Sequence, residues 1–286
     1  MMYIPRIFNT KKDPIHIFTY SGISVALSPW MFIVLSIVAA YTSLTSGIGS
    51  AMMVVGYLGL VYFFVLVHEF GHALSAQRYK IPVKSIVLYP LSGLATIQID
   101  SRYNYPKRDF WITAWGPLTN VGWCFIFGSL MLVGISGFVG SVLIPACFAI
   151  NLVLLLFNLL PIFPMDGGRI LKSILMMCGM HAVKSAKVTY YTGLIVGVPL
   201  AIFAFLNGSY MVACILTFFS IFHGKNELKR SEKIDEHQQQ NKDFIRGGSA
   251  EAYPKKTVDV VRSSSQAAEQ ARDLLRRTAK YDRRSR

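Results

Sequence analysis

Charge is what most of this sequence lacks. Up to Gly224 there are only 13 Lys and Arg and 5 Asp and Glu, and the other 16 basic and 10 acidic residues lie in the 62 residues that follow. With 53% hydrophobic and 15% charged residues among 286, and a mean hydropathy of +0.43, the chain is too apolar for an ordinary soluble domain of its length. A membrane protein with several spans fits. Cysteine is also scarce: Cys124, Cys147, Cys178 and Cys214 show no CxxC spacing and mostly lie in apolar runs, so packing is expected of them rather than a disulfide or metal role. The formal charge of +14 comes with no recognisable nucleic-acid motif, and no nucleic-acid partner is expected. Lys11-Lys12-Asp13-Pro14 stand where a signal peptide would need its apolar stretch, and no cleaved targeting segment is expected.

What is present is a series of long apolar runs. A helix needs about 20 mostly apolar residues to cross roughly 30 Å of hydrocarbon, and such runs occupy residues 24–45, 51–77, 111–134, 138–160 and 188–206, with a shorter one at 209–223. The predicted fold is an all-α polytopic membrane protein of about six transmembrane helices, to which a small membrane-associated β-hairpin is added below. Basic residues collect in cytoplasmic loops. Here they fall in the N-terminal segment (Arg6, Lys11, Lys12), between the second and third runs (Arg78, Lys80, Lys84, Arg102, Lys107, Arg108) and after the fourth (Arg169, Lys172, Lys184, Lys187), while the intervening turns have none. Both termini are therefore expected in the cytoplasm, and the expected location is a bacterial cytoplasmic membrane. The chain divides into an N-terminal cytoplasmic segment (1–23), a six-span domain (24–224) and a polar, partly disordered cytoplasmic tail (225–286). The tail reads as a linker and then a basic amphipathic stretch that Ser265 could cap.

One carboxylate breaks the apolar pattern. The 17 residues from Ala51 to Val67 carry no charge, and His68-Glu69-Phe70-Gly71-His72 follows directly. A carboxylate at membrane depth costs about 2.5 to 3.5 kcal/mol on insertion scales and is usually retained for function. On a helix His68 and His72 project from one face, a turn apart, and can bind a single ion, with Glu69 beside them as a candidate general base. A catalytic zinc site usually has three protein ligands. The acids available before the tail are Asp13, Glu69, Asp100, Asp109 and Asp166, and no Glu occurs between Glu69 and Glu227. Asp166 stands out. It follows the fourth run in Asn158-Leu159-Leu160-Pro161-Ile162-Phe163-Pro164-Met165-Asp166-Gly167, where the prolines end the helix and the glycine lets the chain turn. The orientation argument places it on the same side of the membrane as His68.

The sequence resembles the site-2 protease family of intramembrane zinc metalloproteases. That family pairs HExxH on a transmembrane helix with a downstream NxxPxxPxDG, and both are intact here; Gly116-Pro117-Leu118-Thr119-Asn120 resembles its GPxxN element. The likeness covers roughly residues 20 to 225. It implies one Zn2+ held by His68, His72 and Asp166, with Glu69 as the general base. It also implies site-shaping roles for Asn158, Pro164 and Asn120. No inserted PDZ-like region is seen, and the tail is too short and polar for paired CBS domains, so regulation through either module is not expected. The implied substrate is a single-span membrane protein: an anti-sigma factor, a membrane-tethered transcription factor or a remnant signal peptide.

Cleaving a helix requires that it unwind. Residues 82–100 offer a partner for the extended chain, because Ala95, Ile97 and Ile99 alternate with Thr96, Gln98 and Asp100 and the segment from Pro90 to Gly93 supplies a turn. Ala95, Thr96 and Ile97 thus become candidate substrate-positioning residues by strand addition. Family members have a comparable hairpin. The leading expectation is an intramembrane zinc metalloprotease acting near the cytoplasmic face. A membrane zinc transporter or sensor without proteolytic activity is the rival, although the spans hold almost no ionisable groups outside this cluster. A prenyl-protein type of metallopeptidase would take a glutamate as third ligand.

Overall fold

The computed structural model describes residues 14–90, 92–97 and 105–247. Arg6, Lys11, Lys12, Gln98, Ile99, Asp100, Arg102 and the stretch after Ser265 lie outside the described residues. The chain divides into two units, Met1–Ile234 and Asp235–Arg286. The described part of the second is helical through Gly247.

The first unit opens with strands. β1 (Ile15–Tyr20) and β2 (Ile23–Leu27) pair antiparallel, β2 runs parallel to β3 (Val83–Tyr89), and β3 pairs antiparallel with β4 (Ser92–Ile97). The sheet order is β1-β2-β3-β4, which leaves β4 at an edge. β1 and β2 correct the expectation that residue 24 begins a span. In Ile23-Ser24-Val25-Ala26-Leu27 the side chains of Ile23, Val25 and Ala26 are buried, and pairing with β1 on one side and β3 on the other holds the segment extended. The first helix, α1, begins only at Pro29 and runs to Ser46, since proline is tolerated in a first helical turn but not in the next strand.

Helices α2 (Ile48–Arg78), α3 (Pro106–Leu132), α4 (Ile144–Asn158), α5 (Asp166–Met177), α6 (Ala182–Leu206), α7 (Tyr210–Phe218) and α8 (Gly224–Gly247) follow. Single π-helical turns precede α4 (Val139–Leu143) and follow α7 (Phe219–His223). Among the described residues, four segments are long and apolar enough to cross a membrane: Pro29–Ser46, Ile48–Arg78, Val139–Asn158 and Ala182–Leu206. They expose large apolar side chains, among them Met52, Met53, Ile195 and Phe203, over more surface than a soluble protein leaves to water. The molecule is an integral membrane protein. α3 falls short of that apolarity, with Lys107, Arg108 and Asp109 in its first turn and Thr119 and Asn120 at mid-length, and α7 falls short in length.

Lipid tails are as apolar as leucine, so helices in a membrane associate by close packing and polar contacts. α2 and α3 meet at Gly71, where a Cβ would lie 2.6 Å from the Trp115 carbonyl oxygen. Above that contact Phe64, Trp123 and Phe127 interlock edge-on and stacked, and Cys147 and Ile150 of α4 close the cluster. Beneath it the sheet buries Ile23, Val83, Ile86 and Leu88 against Ala73, Ala76 and Ile112. Each such valine, leucine or isoleucine contributes about 1.5 to 3 kcal/mol where water is the alternative. The Tyr62 hydroxyl donates to the Pro90 carbonyl at 2.7 Å, which ties the end of β3 to the middle of α2.

Cys147 is buried as expected, but Cys178 and Cys214 are exposed. Packing in the core accounts for the first and not for the other two. The tail also differs from a linker at its start. The first unit runs past Gly224 to Ile234 because the opening turns of α8 engage α5. Lys172 Nζ donates to Ser231 Oγ at 2.8 Å and lies 3.6 Å from Glu227 Oε1, and Arg230 lies 3.6 Å from Glu227 Oε2. Burial holds the Lys172 ammonium below its ordinary pKa despite the neighbouring carboxylate. Burial pushes Glu227 upward, but Lys172 and Arg230 outweigh it and hold that carboxyl below its usual range.

Candidate functional site

His68 and His72 occupy successive turns of α2 at the end that packs on the sheet. Their rings meet edge to face with centroids 4.8 Å apart, and the two Nε2 atoms are 3.1 Å from each other. Asp166, the first residue of α5, brings Oδ2 to 3.1 Å from His68 Nε2 and 3.2 Å from His72 Nε2. All three residues are buried, at 5, 8 and 7% exposure, and together they form a group able to hold a metal ion.

Two glycines permit this convergence. A Cβ at Gly116 would collide with the His72 ring and lie 2.9 Å from His68 Nε2, so α3 passes directly beneath both imidazoles only because that position has no side chain. A Cβ at Gly167 would strike the Leu159 and Leu160 carbonyls. The chain after α4 therefore folds back tightly enough to start α5 inside the protein. That return is held by backbone bonds from Ile162 N to Leu160 O (2.7 Å) and from Met165 N to Ile162 O (2.8 Å). Irregular backbone at membrane depth is tolerated where protein buries it, and Ile162, Phe163 and Met165 are buried.

The outer nitrogens of the two rings set their inner ones. His72 Nδ1 is 2.9 Å from the Ile112 carbonyl oxygen. A carbonyl only accepts, so Nδ1 carries a proton, and in the neutral ring Nε2 presents a lone pair. His68 Nδ1 is 2.6 Å from Asn120 Oδ1, which implies the same tautomer. Two lone pairs and a carboxylate then face one another at 3.1 to 3.2 Å in a buried place, and such a set is repulsive unless a proton or a metal cation lies among them. Two imidazoles and one carboxylate match the three protein ligands of a catalytic zinc site that keeps a fourth position open. The donor set fits the ion.

The other expected residues divide. Glu69 is half-buried next to His68. Asn120 is drawn into the site by its bond to His68. Asn158 Nδ2 instead donates to the Leu154 carbonyl of its own helix at 2.9 Å, and Pro164 is exposed on the loop. Ala95, Thr96 and Ile97 lie on the edge strand, where they pair with Ile86, Ser85 and Val83. Sequence reasoning missed the Ile112 carbonyl, for which a side-chain pattern holds no signal. It also missed Asn151, whose Oδ1 accepts from Asn120 Nδ2 at 3.1 Å. An amide alone in the run Ala149-Ile150-Asn151-Leu152-Val153 was a readable signal.

A family model described as Peptidase family M50 matches residues 56–143 and 137–200. In sequence the chain is similar to a zinc metalloprotease of Methanocaldococcus jannaschii, with 28% identity over 227 residues, 77% of this chain and 62% of that protein. It is also similar to stage IV sporulation protein FB of Bacillus subtilis, with 36% identity over 112 residues, 37% of this chain and 36% of that protein. In both cases the chain spans less than two thirds of its relative's length. In three dimensions it is similar to the site-2 protease from Methanocaldococcus jannaschii, with a TM-score of 0.54 and 25% identity over 76% of this chain and 95% of that one.

A methyl group at position 116 has no room between α3 and the rings. Gly116→Ala is expected to displace both imidazoles and to lower zinc affinity by at least about tenfold, the scale on which groups that orient metal ligands act. Zinc content of the purified protein under a graded chelator challenge measures this, and retention equal to wild type would show that the rings can move aside without loss.

Proposed function

Because the chain belongs to peptidase family M50, the site-2 protease family, we propose that it is an intramembrane zinc metalloprotease that hydrolyses a peptide bond in or near the transmembrane segment of a membrane-tethered regulatory protein. The observation that carries this reading is the buried meeting of His68, His72 and Asp166, with Glu69 alongside, at the end of an apolar helix.

In this reading the two Nε2 atoms and an Asp166 oxygen hold one Zn2+. When bound, zinc supplies a Lewis acid that polarises the scissile carbonyl and lowers the pKa of water from about 15.7 towards 7. Glu69 takes the proton of the attacking water and hands it to the leaving amine. Its half-buried place next to His68 supports that role. Burial of His68, His72 and Asp166, at 5, 8 and 7% exposure, keeps the cluster from bulk water, which strengthens each electrostatic contact within it.

The substrate helix must open before its carbonyl can be attacked. β4, an edge strand among the described residues, offers its outer edge to an extended chain, and the turn that precedes it is tied to α2 by Tyr62. Ala95, Thr96 and Ile97 are read as the positions along which unwound substrate aligns, with Asn158 and Pro164 shaping the loop nearby. A single-span anti-sigma factor, tethered transcription factor or remnant signal peptide fits this route. The distribution of Lys and Arg supports about six spans, cytoplasmic termini and a site near the cytoplasmic side.

Two experiments test the reading. Thr96→Pro removes a backbone donor from the edge strand and should slow cleavage of an intact transmembrane substrate more than that of a short unstructured peptide; an equal effect on both would reduce the strand to a cover. Glu69→Gln keeps size and hydrogen bonding but loses the proton acceptor. Zinc content and substrate association should stay near normal while turnover falls by about 10² to 10⁴. Undiminished cleavage by this variant would remove Glu69 from the role of base, and altered zinc flux without any proteolytic defect would favour a transporter.

A further inference from the structure

Asn151 lies at mid-length in α4 with 0% exposure, and Asn120 on α3 has 1%. An amide between apolar helices is costly unless every polar atom is satisfied. Each amide here has one donor and one acceptor engaged, and the bonds run in one direction. Asn151 Nδ2 donates to the Cys147 carbonyl (2.9 Å), Asn120 Nδ2 donates to Asn151 Oδ1 (3.1 Å), and Asn120 Oδ1 faces His68 Nδ1 (2.6 Å).

The direction is not arbitrary. The Cys147 carbonyl can only accept, so the Asn151 amide must turn its NH2 toward it and its oxygen toward Asn120. Asn120 must then present NH2 to Asn151 and oxygen to His68. His68 in turn must carry a proton on Nδ1, which in the neutral ring leaves the Nε2 lone pair facing His72 and Asp166. A backbone acceptor on α4 thereby decides the tautomer of an imidazole on α2. Without Asn151 the Asn120 amide has no reason to keep its oxygen inward. Turned over, it would donate to Nδ1 and move the ring proton to Nε2, the atom the metal needs.

We propose that Asn151 is a positioning residue for His68, acting through Asn120 to hold the His68 Nε2 lone pair on the metal site. This rests on the zinc reading given above. The relay joins α2, α3 and α4, so the ligand helix is oriented by two neighbours that contribute no ligand themselves.

The test is zinc affinity by chelator competition on monodisperse, detergent-solubilised protein, with Zn2+ as the only probe. Asn151→Leu suits an apolar helix and removes the acceptor for Asn120, so zinc affinity should fall by about 10- to 100-fold. Asn120→Asp in the same Leu background restores a group at His68 Nδ1 that can only accept and needs no partner on α4. The double variant should recover to within about threefold of wild type, since carboxylates commonly orient metal-binding histidines. Rescue of this kind is not expected if Asn151 serves only as packing between helices. Should the leucine variant not yield folded protein, Asn151→Ser carries the same comparison, because a serine hydroxyl bonds back to its own helix and does not serve Asn120. Wild-type affinity in the Leu or Ser variant, or a loss that the added Asn120→Asp change does not recover, overturns the relay while leaving the zinc site in place. Absence of zinc binding by the wild-type protein overturns both.

Discussion

Two imidazole nitrogens and a carboxylate oxygen, which repel one another when both rings are neutral, share one buried point, and the rest of the molecule is organised around that fact. The two Nε2 atoms and an Asp166 oxygen lie 3.1 to 3.2 Å apart, in surroundings where such groups cost several kcal/mol unless compensated. Each ring turns its Nδ1 outward, to the Ile112 carbonyl and to Asn120, so that in the neutral rings the Nε2 lone pairs face inward. Gly116 removes the one side chain that would stand between α3 and the rings. A cation at the centre turns the repulsion into binding.

The same constraint explains the irregular return after α4. A helix continuing through the membrane could not bring Asp166 to the histidines. The chain must stop, reverse within the protein and start α5 with the carboxylate already in place. Gly167 allows the reversal by fitting against the Leu159 and Leu160 carbonyls, while Ile162 and Phe163 fill the space that the broken helix leaves. Further along, Lys172 anchors α5 to α8 through Ser231 and Glu227. The carboxylate at the head of α5 is thus carried on a helix that is pinned several residues away. Beneath the histidines the sheet closes the end of α2.

Much of this was legible in the sequence because the chemistry sits in side chains at fixed spacing. His68 and His72 announce one helical face, and Asp166 between a proline-broken helix end and a glycine pair announces a turn into the protein. Less legible were features that depend on backbone atoms and on pairing between distant segments. β1 and β2 were hidden because Ile23 to Leu27 is as apolar as the start of a span, and only the parallel pairing with β3 separates strand from helix. The Ile112 carbonyl leaves no mark in a side-chain pattern. The opening of α8 looked like linker because its residues are polar, but Glu227 and Ser231 are polar for the sake of Lys172. Asn151 was visible as an oddity whose meaning required knowing that Asn120 stands opposite.

The central claim is that zinc is held by two imidazoles and one carboxylate in the buried cluster. X-ray absorption at the zinc edge of the purified, zinc-loaded protein tests it most directly. The account expects a first shell of nitrogen and oxygen at about 2.0 to 2.2 Å, with outer-shell scattering from two imidazole rings and no sulfur. A sulfur shell at about 2.3 Å, or an oxygen-only shell without imidazole scattering, would contradict it.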